Sequence, residues 1–149
     1  MKPLLINGAW QSTSQAIDNI NPSDTSDVID AYACAGKTEA KGAIAAAREA
    51  APKWAQSTPQ QRHDLLARVG KEIMSRKDEI GTLLSREEGK PLAEGIGETT
   101  RAAHIFNFFA GEALRQAGEK LASIRPGVDI DITREPVGVV GIIAPWNFP

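Results

Sequence analysis

Apolar positions run with a two-residue period at both ends of this chain and with a helical period between them. Leu4-Leu5-Ile6 and Ala9-Trp10 flank Asn7-Gly8, a pair that tolerates the positive φ angles of a tight hairpin turn. The opening therefore predicts a small hairpin. Ala16 to Ile20 predicts a second strand, Asn21-Pro22-Ser23-Asp24-Thr25-Ser26-Asp27 is turn chemistry, and Val28 to Cys34 is a third strand.

The middle of the chain is helical. Ala40, Ile44, Ala47, Ala51 and Trp54 recur at three- and four-residue steps, one face of a helix from about Thr38 to Gln56. Thr58-Pro59-Gln60-Gln61 is a start signal: Thr58 caps, Pro59 suits the first helical position and Gln61 completes a capping box. That helix carries Leu65, Leu66, Val69, Ile73 and Met74, and it restarts or continues at Ser75-Arg76-Lys77-Asp78 through Ile80, Leu83 and Leu84. Gly89 and Pro91 mark a stop. A longer helix is expected from about Leu92 to Leu114, carrying Ile96, Ala103, Ile105, Phe106, Phe109 and Ala113. The end returns to β. Val128, Ile130 and Ile132 alternate with Asp129, Asp131 and Thr133, as in a half-exposed strand, and Val137 to Ala144 is almost wholly apolar, as in a strand covered on both faces.

Composition narrows the possible roles. The 149 residues are 42% apolar and 24% charged, within the soluble globular range, and 17 basic against 19 acidic residues leave a net charge of -2. That balance gives no basic surface for nucleic acid and no lysine-rich face for a membrane. No apolar run reaches the ~20 residues of a membrane span, and Met1 to Gly8 has too short an apolar run for a signal peptide. Cys34 is the single cysteine, so no internal disulfide forms and a cytoplasmic setting is expected.

The chemistry is concentrated at the end of the sequence. Glu135-Pro136-Val137-Gly138-Val139-Val140-Gly141-Ile142-Ile143-Ala144 leads into Pro145-Trp146-Asn147-Phe148-Pro149. This segment resembles the approach to the active site in the NAD(P)-dependent aldehyde dehydrogenase superfamily. Four further pieces follow the family's order: Leu5-Ile6-Asn7-Gly8-Ala9-Trp10, Asn21-Pro22 with Val28-Ile29, Glu88-Gly89-Lys90-Pro91-Leu92, and Phe108-Phe109-Ala110-Gly111. The resemblance covers essentially the whole chain. It implies an α/β fold, the N-terminal part of the aldehyde dehydrogenase fold, with an antiparallel β opening, a helical layer and the start of a Rossmann-like cofactor-binding sheet. On this reading 1–124 is part of the cofactor-binding domain, 125–136 an oligomerisation-type strand segment, and 137–149 the strand leading into the active-site motif, with the catalytic domain absent.

The resemblance also implies roles. In the family a cysteine thiolate attacks the aldehyde, hydride leaves for the nicotinamide, and water hydrolyses the resulting thioester to the acid. The developing oxyanion needs a fixed donor in a nearly dry site, and the side-chain amide of Asn147 is the residue that matches it. Pro145 and Pro149 restrict the backbone that aims it. Ile143, Ala144, Pro145, Trp146 and Asn147 would line the nicotinamide and its ribose, in keeping with ligand binding at strand C-termini of open α/β sheets. Phe148 would help form the aldehyde tunnel. Arg101 lies on the helix that feeds that tunnel and could hold a substrate carboxylate, although a surface or interface arginine fits the same position. The cofactor is NAD or NADP, the substrate a small aldehyde, and the parent a homo-oligomer. The texture from Phe108 to Arg115 resembles bacterial dehydrogenases of α-ketoglutarate semialdehyde or succinate semialdehyde.

The remaining candidates read as structural. Cys34 sits in an apolar strand pattern with no histidine or helix N-terminus to activate it, so a buried inert thiol is expected. His63 and His104 are isolated, and no metal centre is expected. Glu87 and Glu88 are read as solvated near a helix end. Gly138 and Gly141 do not form a dinucleotide fingerprint. Neither the family's nucleophile nor its general base falls within the 149 residues, so this polypeptide alone is expected to be inactive. The rival reading is a non-catalytic interaction module that uses the helical layer and the Val128 to Ile132 edge.

Overall fold

A computed structural model describes residues 1–148. The opening forms two separate antiparallel pairs rather than one element. In the first, β1 (Leu4–Ile6) pairs with β2 (Ala9–Gln11), Leu5 opposite Trp10, and the turn has Asn7 at φ +52° and Gly8 at +73°. In the second, β3 (Ala16–Ile20) pairs with β4 (Val28–Ala33). A parallel bridge from Lys2 to Tyr32 ties the start of the chain to β4. The third strand ends at Ala33, and Cys34 is half-buried rather than enclosed. A two-stranded pair has no layer to bury both of its faces.

The helices follow the sequence closely. In α1 (Lys37–Ala55) the Glu39 carboxylate accepts the Gly36 N–H at 2.8 Å. In α2 (Pro59–Ser75) Thr58 Oγ1 accepts from the Gln61 N–H at 3.2 Å and Gln61 Oε1 accepts from the Thr58 N–H at 2.8 Å, the expected reciprocal cap. The chain restarts rather than continues at Arg76, giving α3 (Lys77–Glu88). Gly89 ends α3 at φ +70°, a left-handed position, and a Cβ there would lie 2.5 Å from Ser23 Oγ. Next comes α4 (Leu92–Ala113). No helix among the described residues is long and apolar enough to cross a membrane.

The core is a seam of small residues where α4 lies along α2 and α3. Gly95, Thr99, Ala103, Ala110 and Ala113 of α4 are buried, as are Gly70 of α2 and Gly81 of α3. The backbones nearly touch: a Cβ on Gly81 would lie 2.7 Å from Ile96 Cα, and one on Gly70 would lie 3.1 Å from the Ala103 carbonyl oxygen. Among the described residues no large side chain is fully buried. The apolar stripe of α1 faces outward, with Ile44 and Trp54 about half exposed, and α1 buries no residue.

Polar contacts join this helical layer to the β opening. Arg86 donates to both oxygens of Asp27, Nε at 2.9 Å and Nη2 at 2.5 Å. Glu87 Oε1 accepts from Asn19 Nδ2 at 2.5 Å and from the Tyr32 hydroxyl at 3.1 Å. Glu87 is thus a fastening residue, which corrects the expectation that it is solvated. Glu88 is corrected likewise, because Lys90 folds back onto it. The turn between α3 and α4 returns both carboxylates to the protein. Sequence adjacency to a helix end does not reveal that return.

The Arg86 hydrogen bond, helped by Asn21, holds Asp27 down to about 2 from an unperturbed 3.8. A carboxylate depressed in the folded state stabilises fully above its unfolded pKa, and the contribution is lost as pH falls through the folded value. Wild-type protein is therefore expected to lose stability between about pH 4 and pH 2 more steeply than Asp27→Asn, with the variant the less stable of the two at neutral pH. Denaturant midpoints across that range check both statements.

The end of the chain departs most from expectation. A hairpin forms between β5 (Glu119–Ala122) and β6 (Asp129–Ile132), with Lys120 opposite Asp131. β6 was anticipated. β5 was not, because Glu-Lys-Leu-Ala carries a single large apolar side chain. Every residue of both strands is exposed. The strand expected from Val137 to Ala144 is not formed, and Val137, Val140, Ile142 and Ile143 are 62–95% exposed. A central strand needs hydrogen-bonded neighbours on both sides. The other described strands are already paired in hairpins, so the start of the Rossmann-like sheet is present as sequence but not as a sheet.

Candidate functional site

The motif residues sit at the tip of an extended arm. The chain leaves β6, passes Arg134, whose Nε donates to the Ala117 carbonyl at 3.3 Å, and runs without regular structure to a turn at Trp146 and Asn147. Ile143 is 95% exposed, Trp146 87% and Phe148 67%, and Asn147 is exposed as well. The sequence-predicted residues Ile143, Ala144, Pro145, Trp146, Asn147 and Phe148 are therefore contiguous and open. Pro149 lies outside the described residues.

The arm has the chemistry of a surface waiting to be covered. Its side chains are mostly apolar, and its backbone N–H and C=O groups from Thr133 to Phe148 make no backbone hydrogen bond among the described residues. Free main-chain donors and acceptors beside an exposed indole and two isoleucines can receive a flat heteroaromatic ring with polar substituents. In this respect the residues present fit a nicotinamide. Hollows lie elsewhere on the surface. Two open depressions of about 790 and 990 Å³ flank Trp54, and neither is lined by residues 143–148.

The arm meets the helical layer at Phe148. The Lys90 ammonium lies 6.0 Å from the centroid of the Phe148 ring, at the outer edge of cation–π range. Lys90 is itself enclosed, with its side chain 14% exposed. It is paired with Glu88 and, at 2.7 Å, with Glu98 Oε1. The hydrogen bonds it donates to Glu88 and Glu98 push its pKa above the ordinary lysine value. One oxygen of each, Glu88 Oε1 and Glu98 Oε2, is buried with no hydrogen-bond partner among the described residues. The backbone of Lys90 is also held, its carbonyl accepting from Ser85 Oγ at 2.5 Å. The sequence reading used Gly89-Lys90-Pro91 only as a helix-ending motif and missed this group. The signal available was a lysine directly before Pro91, the N-cap of α4, with Glu98 eight residues on.

Arg101 is exposed on α4 and makes no hydrogen bond or ion pair with a described residue. Ile105 and Phe108, four and seven residues further on, are exposed on the same helical face. Phe108 packs edge-to-face on Phe109 at 5.2 Å. The structure does not bring Arg101 into contact with the motif. His63 contacts only its neighbour Asp64, at 3.0 Å, and His104 is exposed. Among the described residues no three metal-ligating side chains converge.

Comparison with known proteins bears on the family and the fold. The profile described as the aldehyde dehydrogenase family matches residues 10–149. The α-ketoglutarate semialdehyde dehydrogenase of Haloferax volcanii is 34% identical over 146 residues, covering 97% of this chain and 30% of the relative. The NADP(+) succinate-semialdehyde dehydrogenase GabD of Escherichia coli is 35% identical over 147 residues, again 97% of this chain and 30% of the relative. The crystal structure of an aldehyde dehydrogenase from Brucella melitensis biovar abortus superimposes with a TM-score of 0.95 at 34% identity, covering all of this chain and 31% of that one. The chain thus spans about 30% of the length of the curated relatives it matches. With the motif in family order and the fold superimposing throughout, this chain belongs to the aldehyde dehydrogenase family.

Proposed function

We propose that this chain is the N-terminal part of an NAD- or NADP-dependent enzyme that oxidises a small aldehyde, a carboxylated semialdehyde, to the acid. The observation that carries the reading is the exposed Pro145-Trp146-Asn147-Phe148 turn at the tip of the arm. Asn147 is the oxyanion donor. Its amide NH2 stabilises charge that develops on the carbonyl oxygen. Ile143, Ala144, Pro145 and Trp146 form one wall of the nicotinamide site, and Phe148 one wall of the aldehyde tunnel. Bound there, the cofactor supplies the hydride acceptor. The attacking thiolate and the general base are assigned to no residue of these 149 on this reading, since Cys34, the single cysteine, is half-buried just after β4 and more than 100 residues from the motif turn. The isolated chain is inactive on this reading. The 125–136 segment, with its exposed β6 edge, serves homo-oligomer assembly.

Arg101 selects the substrate. Its guanidinium is exposed, has no carboxylate partner among the described residues and shares a face with Ile105 and Phe108. A bidentate arginine–carboxylate pair with the distal acid of a semialdehyde follows. In the complete enzyme Arg101→Leu is expected to raise KM for succinate semialdehyde roughly tenfold or more, the scale of a charged hydrogen bond. KM for an uncharged aldehyde of the same length stays within about twofold. An equal effect on both substrates removes Arg101 from the site. The parent experiment is reduction of NAD+ or NADP+ by the same aldehydes, and no turnover of any aldehyde with either cofactor overturns the enzyme reading.

The interaction-module reading draws on the bare apolar face of α1 and the exposed β5–β6 hairpin. It requires no nicotinamide binding, so retained cofactor binding by the complete protein decides against it.

A further inference from the structure

We infer that Lys90 is a positioning residue for the motif turn: clamped between Glu88 and Glu98, it presents its ammonium to the Phe148 ring and so fixes the direction in which Asn147 points. The inference rests on the reading of Asn147 as oxyanion donor, but its structural half stands without it.

The geometry has three parts. Lys90 is not a mobile surface lysine, because two carboxylates hold its nitrogen, Ser85 holds its carbonyl, and its side chain is 14% exposed. Its backbone position is set by the left-handed Gly89 on one side and by Pro91, which starts α4, on the other. Phe148, in contrast, lies on an arm that makes no backbone hydrogen bond of its own among the described residues, and the residue is 67% exposed. A rigid cation facing a loosely held ring gives the tip a fixed reference point. Asn147 is the residue immediately before that ring, so a rotation that lifts Phe148 from Lys90 also turns the Asn147 side chain. An oxyanion donor works only when it is aimed in advance, and small misplacements carry large rate costs.

Charge explains why a lysine is used. The cluster of one ammonium and two carboxylates carries a net negative charge. Without Lys90, Glu88 and Glu98 would face one another and the negative face of the ring, and each already has a buried oxygen without a partner. Arginine keeps the cation and a planar surface for the ring. Methionine keeps the length and loses the charge.

The 149-residue chain, diluted until sedimentation shows the monomer alone, provides a direct test. Trp10→Phe and Trp54→Phe leave Trp146 as the sole indole, next to Asn147. In that background Lys90→Met is expected to lower the fluorescence anisotropy of Trp146 while helical circular dichroism stays unchanged, and Lys90→Arg to restore most of the loss. Phe148→Leu removes the ring instead of the cation and is expected to lower the anisotropy alike, which keeps the test available if Lys90→Met does not fold. Unchanged anisotropy in both Lys90→Met and Phe148→Leu overturns the inference. In the complete enzyme Lys90→Met is expected to lower kcat about three- to tenfold with KM held, the range of a cation–π contact expressed as rate, with recovery in Lys90→Arg. Loss of anisotropy with kcat unchanged leaves Lys90 ordering the tip and refutes the role of Asn147. A fall in kcat that Lys90→Arg does not recover assigns the effect to packing and overturns the positioning role.

Discussion

Asn147→Ala in the complete enzyme is expected to lower kcat by roughly 100- to 1000-fold, the loss seen when one oxyanion donor is removed, with KM for the aldehyde changed little. The split follows from the contact proposed for the side chain. The ground-state carbonyl oxygen is weakly charged and accepts only an ordinary hydrogen bond, whereas the oxyanion formed on attack is fully charged in a site that excludes water. A donor that strengthens only on the way to the transition state raises kcat and leaves substrate binding almost alone. Asn147→Asp keeps the size of the side chain and replaces its donor by a negative oxygen, so its rate should fall at least as far. Nicotinamide cofactor affinity should survive in Asn147→Ala, since the neighbouring contacts from Ile143 to Trp146 are largely through backbone atoms on the proposed reading. A large rise in KM with kcat unchanged would make Asn147 a binding residue and remove it from the chemistry.

The motif itself was legible because it is local, and the role of Asn147 within it is the proposal made above. Asn147 and its neighbours are contiguous, so no knowledge of the packing was needed to collect them. The helices were legible for a similar reason: the Thr58–Gln61 cap and the left-handed Gly89 are chemical signals confined to four residues or fewer. What failed depended on partners distant in sequence. Glu87 looks solvated until β3 and β4 bring Asn19 and Tyr32 to it across 68 and 55 residues. Lys90 looks like punctuation until α4 returns Glu98 and the arm returns Phe148. Val137 to Ala144 has the composition of a central strand, but composition states only what would bury it and not whether those neighbours are there. The helix seam is set by other residues than those that carry the apolar period: α2 carries Leu65, Leu66, Val69 and Ile73, whereas the backbones approach most closely at Gly70, Gly81, Gly95 and Ala103. Small residues leave no hydrophobic period, so a seam that depends on close backbone approach is hard to see in sequence.

The second large effect concerns the surface. A compact monomer of 16.0 kDa exposes about 7,400 Å² by the usual size scaling, whereas this chain exposes 11425 Å². The excess, on the order of 4,000 Å², is as much as a large obligate interface buries across both partners. Much of it is apolar: Ile44 and Trp54 on α1, Phe108 and Phe109 on α4, Val137, Val140, Ile142, Ile143 and Trp146 on the arm. Among the described residues the buried apolar ones, by contrast, are four alanines. Exposed apolar area of this extent, beside a hairpin with open edges, favours association. The 149-residue protein is therefore expected to sediment as a concentration-dependent mixture above the monomer mass and to bind a fluorescent apolar dye strongly. A chain extended to the length of the relatives should lose the dye signal, because added sheet neighbours pair the Val137–Ala144 backbone and cover its side chains. Hydrogen exchange locates the change: the amides of Val139 to Ile143 exchange at nearly unprotected rates in the short chain and become among the slowest in the long one. A single sharp monomer peak by light scattering, with no dye bound, would mean that the arm folds back on the helical layer, and the site would then have to be rebuilt from that closed arrangement.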